Sequence, residues 1–343
     1  MQHPYLDFII EKAKCLHGRI AVPDAQSDER VMRAAHYVHQ NGWLDVVFTG
    51  SRAAYNCLAD RLGLDISGIE IIDPAETTEL DAYCHLYGRL RAKENLTPEQ
   101  IETFMHEPAY FACMLHRHGK VDGICSGVYY STADMARPAI KILGVRDGVR
   151  KMTAAGVGIW PHCPLGDNLV LSTGDGTIIP NPTAEELADI AILIAENAKD
   201  VLPEEPRVAL ISFSTLGSAQ HAMVDKVATA TRIAQEKRPD LAIDGEFQFD
   251  AALMPFVAAK KVKRPSQVAG RANVLIWPDL QSGNIAGKAM GIMGGGAGVG
   301  STLLGIRGLV GDHSRGATYE EIISYIAFIG MQVHRPAPWS YPN

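Results

Sequence analysis

The sequence predicts an α/β protein built from parallel-rich sheets flanked by helices, and three observations carry that reading. Short β-rich runs alternate with longer helical patterns along the chain, the rhythm of βαβα units. The length of 343 residues suits two domains better than one. An apolar content of 47% and a charged content of 21% are ordinary for a soluble globular chain.

The elements follow in order. RIAVPD, residues 19–24, is the first strand. Ser27 is positioned to cap a helix through VMRAAHYVHQ that Gly42 ends. DVVFTG is the second strand, and a helix occupies about the next dozen residues. IEIID, VDGICSG, VALISF, LAIDGEF and NVLIWPD repeat the pattern, each followed by loop residues and a helical stretch. Ligands of such sheets bind at the carboxyl ends of the strands. A boundary falls near residues 146–150, giving a discontinuous first domain of 1–147 plus 303–343 and a second of 148–302, with the active cleft expected between them. The final helix, roughly 319–331, is expected to pack back on the first domain.

A formal net charge of −7 without a long Lys/Arg run argues against nucleic acid or an anionic membrane as the main partner. The six cysteines, Cys15, Cys57, Cys84, Cys113, Cys125 and Cys163, form no CxxC pair and read as a reduced, cytoplasmic set. MQHPYLDFIIEKAK has no basic region leading into an apolar signal core, and no apolar run approaches the roughly 18 residues of a membrane span. A soluble, untargeted cytoplasmic protein is therefore expected.

Two hydroxyl-plus-arginine clusters stand out on this acidic background. SGVYYSTADMARPAI carries Ser131, Thr132 and Arg137, and GDHSRGATYEEII carries Ser314, Arg315 and Glu321. Guanidinium groups hold phosphate or carboxylate through forked, charge-assisted hydrogen bonds, so the pair points to a phosphorylated small molecule. Pro138 favours a helix that begins near Arg137, where a bound anion would offset the dipole. Ser131 and Thr132 read equally well as cap or turn residues. Thr318 and Glu321 have capping-box spacing, which competes with a catalytic role for Glu321. Ser314-Arg315-Gly316 has no such structural explanation, because a turn does not need arginine.

Elsewhere, NVLIWPDLQSGNIAGKAM places a strand, a loop with Gly283 and Asn284, and a helix containing Lys288, a phosphate-cradle topology without P-loop spacing. GGGAGVG, residues 294–300, fits no nucleotide motif and reads as a flexible or tightly packed turn. His116 and His118 share a strand face in this reading but lack a third ligand, so no metal is expected. Asp244, Glu246 and Asp250 alternate with apolar residues and are expected to line a cleft rather than a solvated face. Cys163 is read as packing, not as a nucleophile.

Taken together with IPNPTAEELADIAI, PRVALISFSTLGSAQH, PDLAIDGEFQFDAAL and NVLIWPDLQSGNIAGKA, these clusters resemble the phosphate acetyltransferase (phosphotransacetylase) members of the phosphate acetyl/butyryl transferase family over nearly the whole chain. The resemblance implies a fold similar to the isocitrate/isopropylmalate dehydrogenases, with two α/β domains around a cleft, and a homodimer. It implies interconversion of acetyl-CoA and acetyl phosphate, with CoA, phosphate and their acetyl forms as substrates and no permanently bound cofactor. It assigns phosphate binding to Thr132 and Arg137, catalysis to Ser314 and Arg315, and a substrate contact to Arg91, with Arg89 the competing register. Asn284 and Lys288 join the substrate-binding set. Where the family has an aspartate as base, this chain has Glu321; where members commonly read Arg-Lys-His-Lys-Gly, it has Arg91-Ala92-Lys93-Glu94-Asn95. Two rival functions remain: an acetyl-CoA-sensing domain of the same ancestry, and an NAD(P)-linked decarboxylating dehydrogenase.

Overall fold

The computed structural model describes residues 3–334, 337 and 339–341. Its strands are β1 (Arg19–Ala21), β2 (Asp45–Thr49), β3 (Glu70–Ile72), β4 (Gly123–Ile124), β5 (Thr153–Cys163), β6 (Gly166–Gly174), β7 (Arg207–Ile211), β8 (Ala242–Phe247), β9 (Val274–Ile276), β10 (Ala297–Leu304) and β11 (Val310–Gly311). The chain divides into two compact units, Ile9–Arg146 with Ile306–Asn343, and Met1–Phe8 with Asp147–Gly305.

In the first of these units the strands run β3-β2-β1-β4-β11, and every pairing is parallel. Parallel strands are covered on both faces, so they read as short continuous apolar runs. Ile20, Ala21, Val47, Phe48 and Ile124 are accordingly buried. The helix Glu29–Gln40 starts at Asp28, whose carboxylate accepts from the Arg30 amide at 2.8 Å, and not at the expected Ser27. Ser27 instead closes the preceding 3-10 turn Pro23–Gln26. The last helix, Tyr319–Gly330, agrees with the expected span and buries Ile322, Tyr325, Ile326 and Phe328.

One expected boundary is corrected. The helix Thr132–Pro138 begins at a capping box formed by Ser131 and Asp134, so Arg137 lies in its last turn rather than at its start. Two reciprocal side-chain caps satisfy more orphan amides than a proline, which only removes one donor. Pro138 has no N–H to continue the ladder, and the chain passes into a π turn, Ala139–Leu143.

The other unit has the order β10-β5-β6-β9-β7-β8, antiparallel for β10-β5 and β5-β6 and parallel for the rest. Its glycine run packs through Gly294 and Gly296, while Gly295 and Gly298 face open space. An added Cβ on Gly294 or Gly296 would lie 3.0 or 2.2 Å from Trp160 Nε1, and that indole donates to Met290 O at 3.0 Å. Gly283 and Asn284 sit inside the helix Leu280–Gly294, capped by Asp279, and not in a loop before it. Helical Gly283 lets the first turn press onto Gly176: a Cβ there would be 2.8 Å from Asp175 O and from Trp277.

Candidate active site

Three adjacent parallel strands, β1, β4 and β11, deliver their following loops to one edge of their sheet. The loop after β1 supplies Asp24, which is fully buried. Its carboxylate accepts the Ser126 hydroxyl and the amides of Gly127, Val128 and Tyr129 at 3.1, 2.9 and 2.7 Å. Burial pushes its pKa up to about 6, against the pull of those four donors. Asp24 thus moulds the loop after β4 that leads into Ser131, Thr132 and Arg137.

The loops after β4 and β11 touch through backbone. His313 N donates to Ser126 O at 3.0 Å. Gly127 has φ +105°, and a Cβ there would come within 2.2 Å of His313 N, so the approach requires glycine. Beyond this contact the β11 loop presents Asp312, His313, Ser314 and Arg315. His313 is buried, stacked on Tyr325 at 4.2 Å, and burial lowers its pKa to about 3, so the imidazole is neutral. Asp312 is buried as well. Burial lifts its carboxyl to about 6, with the Thr132 hydroxyl bonding to it and lowering it.

Arg30 fixes the rest of the β11 loop. Its guanidinium, paired with Asp28 at 2.7 Å, donates to Ala317 O at 2.7 Å and to Arg315 O at 3.3 Å. The backbone is clamped while the Ser314 and Arg315 side chains stay exposed. Gly316 N donates to Ser314 Oγ at 3.3 Å, which leaves the hydroxyl proton available as a donor. The expected capping box forms: Thr318 N donates to Glu321 Oε2 at 2.8 Å, and Glu321 N to Thr318 Oγ1 at 3.2 Å.

Arg137 is half exposed and makes a loose ion pair with Asp134 at 3.5 Å. Its charge also acts on the Tyr110 phenol, which feels Glu94 as well. Arg91 ends the helix Leu80–Leu90 and is ion-paired to Glu94, which also binds Lys141 at 3.0 Å. Glu94, one of the departures from the family pattern, therefore partly neutralises Arg91. Arg89, the competing register, is exposed in the same helix.

Ser314, Arg315, Glu321, Thr132, Arg137 and Arg91 all belong to one unit. Asn284 and Lys288 lie in the other, exposed one helical turn apart, with Asn284 Nδ2 donating to Gly176 O at 3.3 Å. Sequence reasoning passed over Asp24, Arg30 and Asp312, because their roles are hydrogen bonds to residues far away in the chain. The position of Asp24 just past the first strand is the signal that was there to find.

The other residues singled out in the sequence have defined partners, and the strand placement of His116 is corrected. Asp244 is held by Arg264 and by Ser266 Oγ at 2.6 Å, and Glu246 by Ser214 Oγ and Gly217 N, both at 2.8 Å. Asp250 pairs with Lys261 at 2.8 Å. Each of these carboxylates is thus engaged by partners within its own unit. His116 lies on the helix Pro108–Arg117, not on a strand; its Nε2 accepts from Leu309 N at 3.0 Å, so Nδ1–H donates to Val121 O at 2.9 Å. Cys163 ends β5, and its thiol donates to Gly166 O at 3.4 Å. Among the described residues no His, Cys, Asp and Glu group is placed to hold a metal, and no helix is long and apolar enough to cross a membrane.

Exposed arginine and hydroxyl side chains, carried on braced loops at the carboxyl ends of parallel strands, have the chemistry to hold small anions. A profile of the phosphate acetyl/butaryl transferase family matches residues 5–329. The chain is 42% identical over 325 residues to the phosphate acetyltransferase of Thermoanaerobacterium thermosaccharolyticum, covering 94% of this chain and 98% of that one. A crystal structure of a phosphotransacetylase from Streptococcus pyogenes superposes with a TM-score of 0.86 at 37% identity, covering 97% and 99% of the two chains. A 4-hydroxythreonine-4-phosphate dehydrogenase from Burkholderia phymatum shares the fold alone, with a TM-score of 0.55 at 13% identity and coverage of 92% and 98%. The chain belongs to the phosphate acetyl/butaryl transferase family, and it is an acyltransferase. Its α/β fold class is the one read from the sequence.

Proposed function

We propose that this protein catalyses reversible acetyl transfer between CoA and inorganic phosphate, acetyl-CoA + phosphate = acetyl phosphate + CoA, by direct thiolate attack in a ternary complex. The observation that carries the reading is the exposed Ser314-Arg315 pair on a backbone clamped by Arg30, joined through Asp312 to the Thr132–Arg137 segment. A free thiol has a pKa of roughly 8.5, so a base is needed to supply thiolate at neutral pH. Glu321 takes that role; its cap engages Oε2, and the residue is half-buried. The Ser314 hydroxyl proton is directed to the tetrahedral oxyanion. Arg315, Arg137 and Arg91 bind the phosphoryl group with Thr132, and Arg91 gives up part of its ion pair with Glu94 to do so. Asn284 and Lys288 bind substrate from their own unit.

The reaction needs no metal, redox group or permanently bound cofactor, because CoA itself is the thiol. A cytoplasmic homodimer belongs to the same proposal. Support for self-association comes from the helix Leu280–Gly294, which leaves Ile285, Ile292 and Met293 exposed at 62, 84 and 88%. Sedimentation at a single monomer mass would contradict that part.

The test of the function is CoA release from acetyl-CoA, followed with and without inorganic phosphate and repeated with propionyl-CoA. Phosphate-dependent release is expected, faster with the acetyl thioester. Acetyl-CoA binding without release would favour the sensing domain, and nicotinamide reduction by a 2-hydroxy acid the dehydrogenase.

A further inference from the structure

The mechanism above provides for the proton of the thiol and leaves one at the phosphate unassigned. When thiolate displaces phosphate from acetyl phosphate, the leaving oxygen departs toward a trianion unless it receives a proton. A carboxyl group lies buried in the β11 loop two residues before Ser314. Asp312 is 6% exposed, and its Oδ1 has no hydrogen-bond partner among the described residues. Its other contact is the hydroxyl of Thr132, the residue that opens the helix carrying Arg137.

A second buried carboxyl group, Asp24, acts on Asp312 through its charge. They are not equivalent. Asp24 accepts four hydrogen bonds, the surroundings of an ionised group. Asp312 has one donor and an orphaned oxygen, the surroundings of a carboxylic acid whose O–H awaits an acceptor. Like charge on Asp24 further disfavours ionisation of Asp312. Next to it in the loop, His313 is a neutral imidazole, stacked on Tyr325 of the helix Tyr319–Gly330, and Glu321 of that helix acts on the same tyrosine.

We propose that Asp312 is the proton carrier on the phosphate side of the reaction. In the forward step CoA thiolate forms the C–S bond, the acetyl C–O bond breaks, and the Asp312 carboxyl proton passes to the departing oxygen. The products are acetyl-CoA, hydrogen phosphate dianion and Asp312 carboxylate. In reverse, Asp312 carboxylate takes the proton of hydrogen phosphate as its oxygen attacks the thioester. Glu321 and Asp312 thus divide the work, one carboxylate for the thiol and one carboxylic acid for the phosphate. A carboxyl lifted to about 6 by burial is suited to exchange a proton near neutral pH.

This inference rests on the function proposed above, and its test separates the two. Turnover of acetyl phosphate with saturating CoA is measured across pH for the wild type, Asp312→Asn and Asp312→Glu. The acid must be protonated in this direction, so wild-type kcat should fall about tenfold per pH unit on an alkaline limb. Asp312→Asn should lower kcat about 10²–10⁴-fold, change KM for acetyl phosphate little, and lose that limb. Asp312→Glu, which retains an acid, should recover part of the rate and the limb. A wild-type profile without an alkaline limb, or an Asn variant that keeps it, would overturn the role of Asp312 while acetyl transfer stands. No phosphate-dependent CoA release at all would remove both readings.

Discussion

Arg315→Ala should lower kcat/KM for acetyl phosphate by about 10³-fold, and Arg137→Ala by a comparable factor. A guanidinium that meets charge developing on the phosphoryl group acts in the transition state, where losing one donor costs about 10²–10³ and losing a full charge costs more. The fold should not suffer. Arg30 grips the backbone carbonyl of Arg315, not its side chain, and the Arg137 side chain makes a loose pair with Asp134 at 3.5 Å. Truncation of side chains so placed ordinarily changes stability by about 0.5 kcal/mol or less. Steady-state rates and chemical denaturation of the same samples read both quantities. Near-wild-type kcat/KM in either variant would remove that residue from the anion site.

Glu321→Gln should cost about 10²–10⁴-fold in kcat at pH 7, the usual worth of a general base. Glutamine retains a carbonyl oxygen to accept the Thr318 amide, so the capping box survives and the stability loss stays within about 1 kcal/mol. The sign with pH follows from the thiol. Above its ordinary value of roughly 8.5 free thiolate becomes abundant, so the deficit of the variant should shrink as pH rises. A Gln variant with full activity at neutral pH would leave Glu321 as a cap only.

The legible parts of this chain are those written in local pattern. RIA, DVVFT and RVALI announce strands because parallel pairing buries both faces, and Thr318-x-x-Glu321 announces a helix start because the cap closes within four residues. The β5–β6 hairpin escaped notice, since TAAGVG is too poor in branched side chains to look like a strand; Trp160, packed over Gly158, fills the space. Arg137 stood out as a candidate anion ligand, but its place in the helix was not legible, because Pro138 suggested a helix start that the Ser131–Asp134 box supplies earlier. Asp24 and Arg30 were illegible as site residues. Their partners, the amides of 127–129 and the carbonyls of Arg315 and Ala317, lie about a hundred and nearly three hundred residues away and meet them only in the folded sheet.

The central claim is direct transfer between two substrates bound together, and initial-rate kinetics with CoA and acetyl phosphate varied against one another test it most directly. Attack within a ternary complex predicts double-reciprocal lines that intersect, with no exchange of labelled phosphate into acetyl phosphate when CoA is absent. Parallel lines, together with phosphate exchange in the absence of CoA, would demonstrate an acetyl-enzyme intermediate and contradict the account.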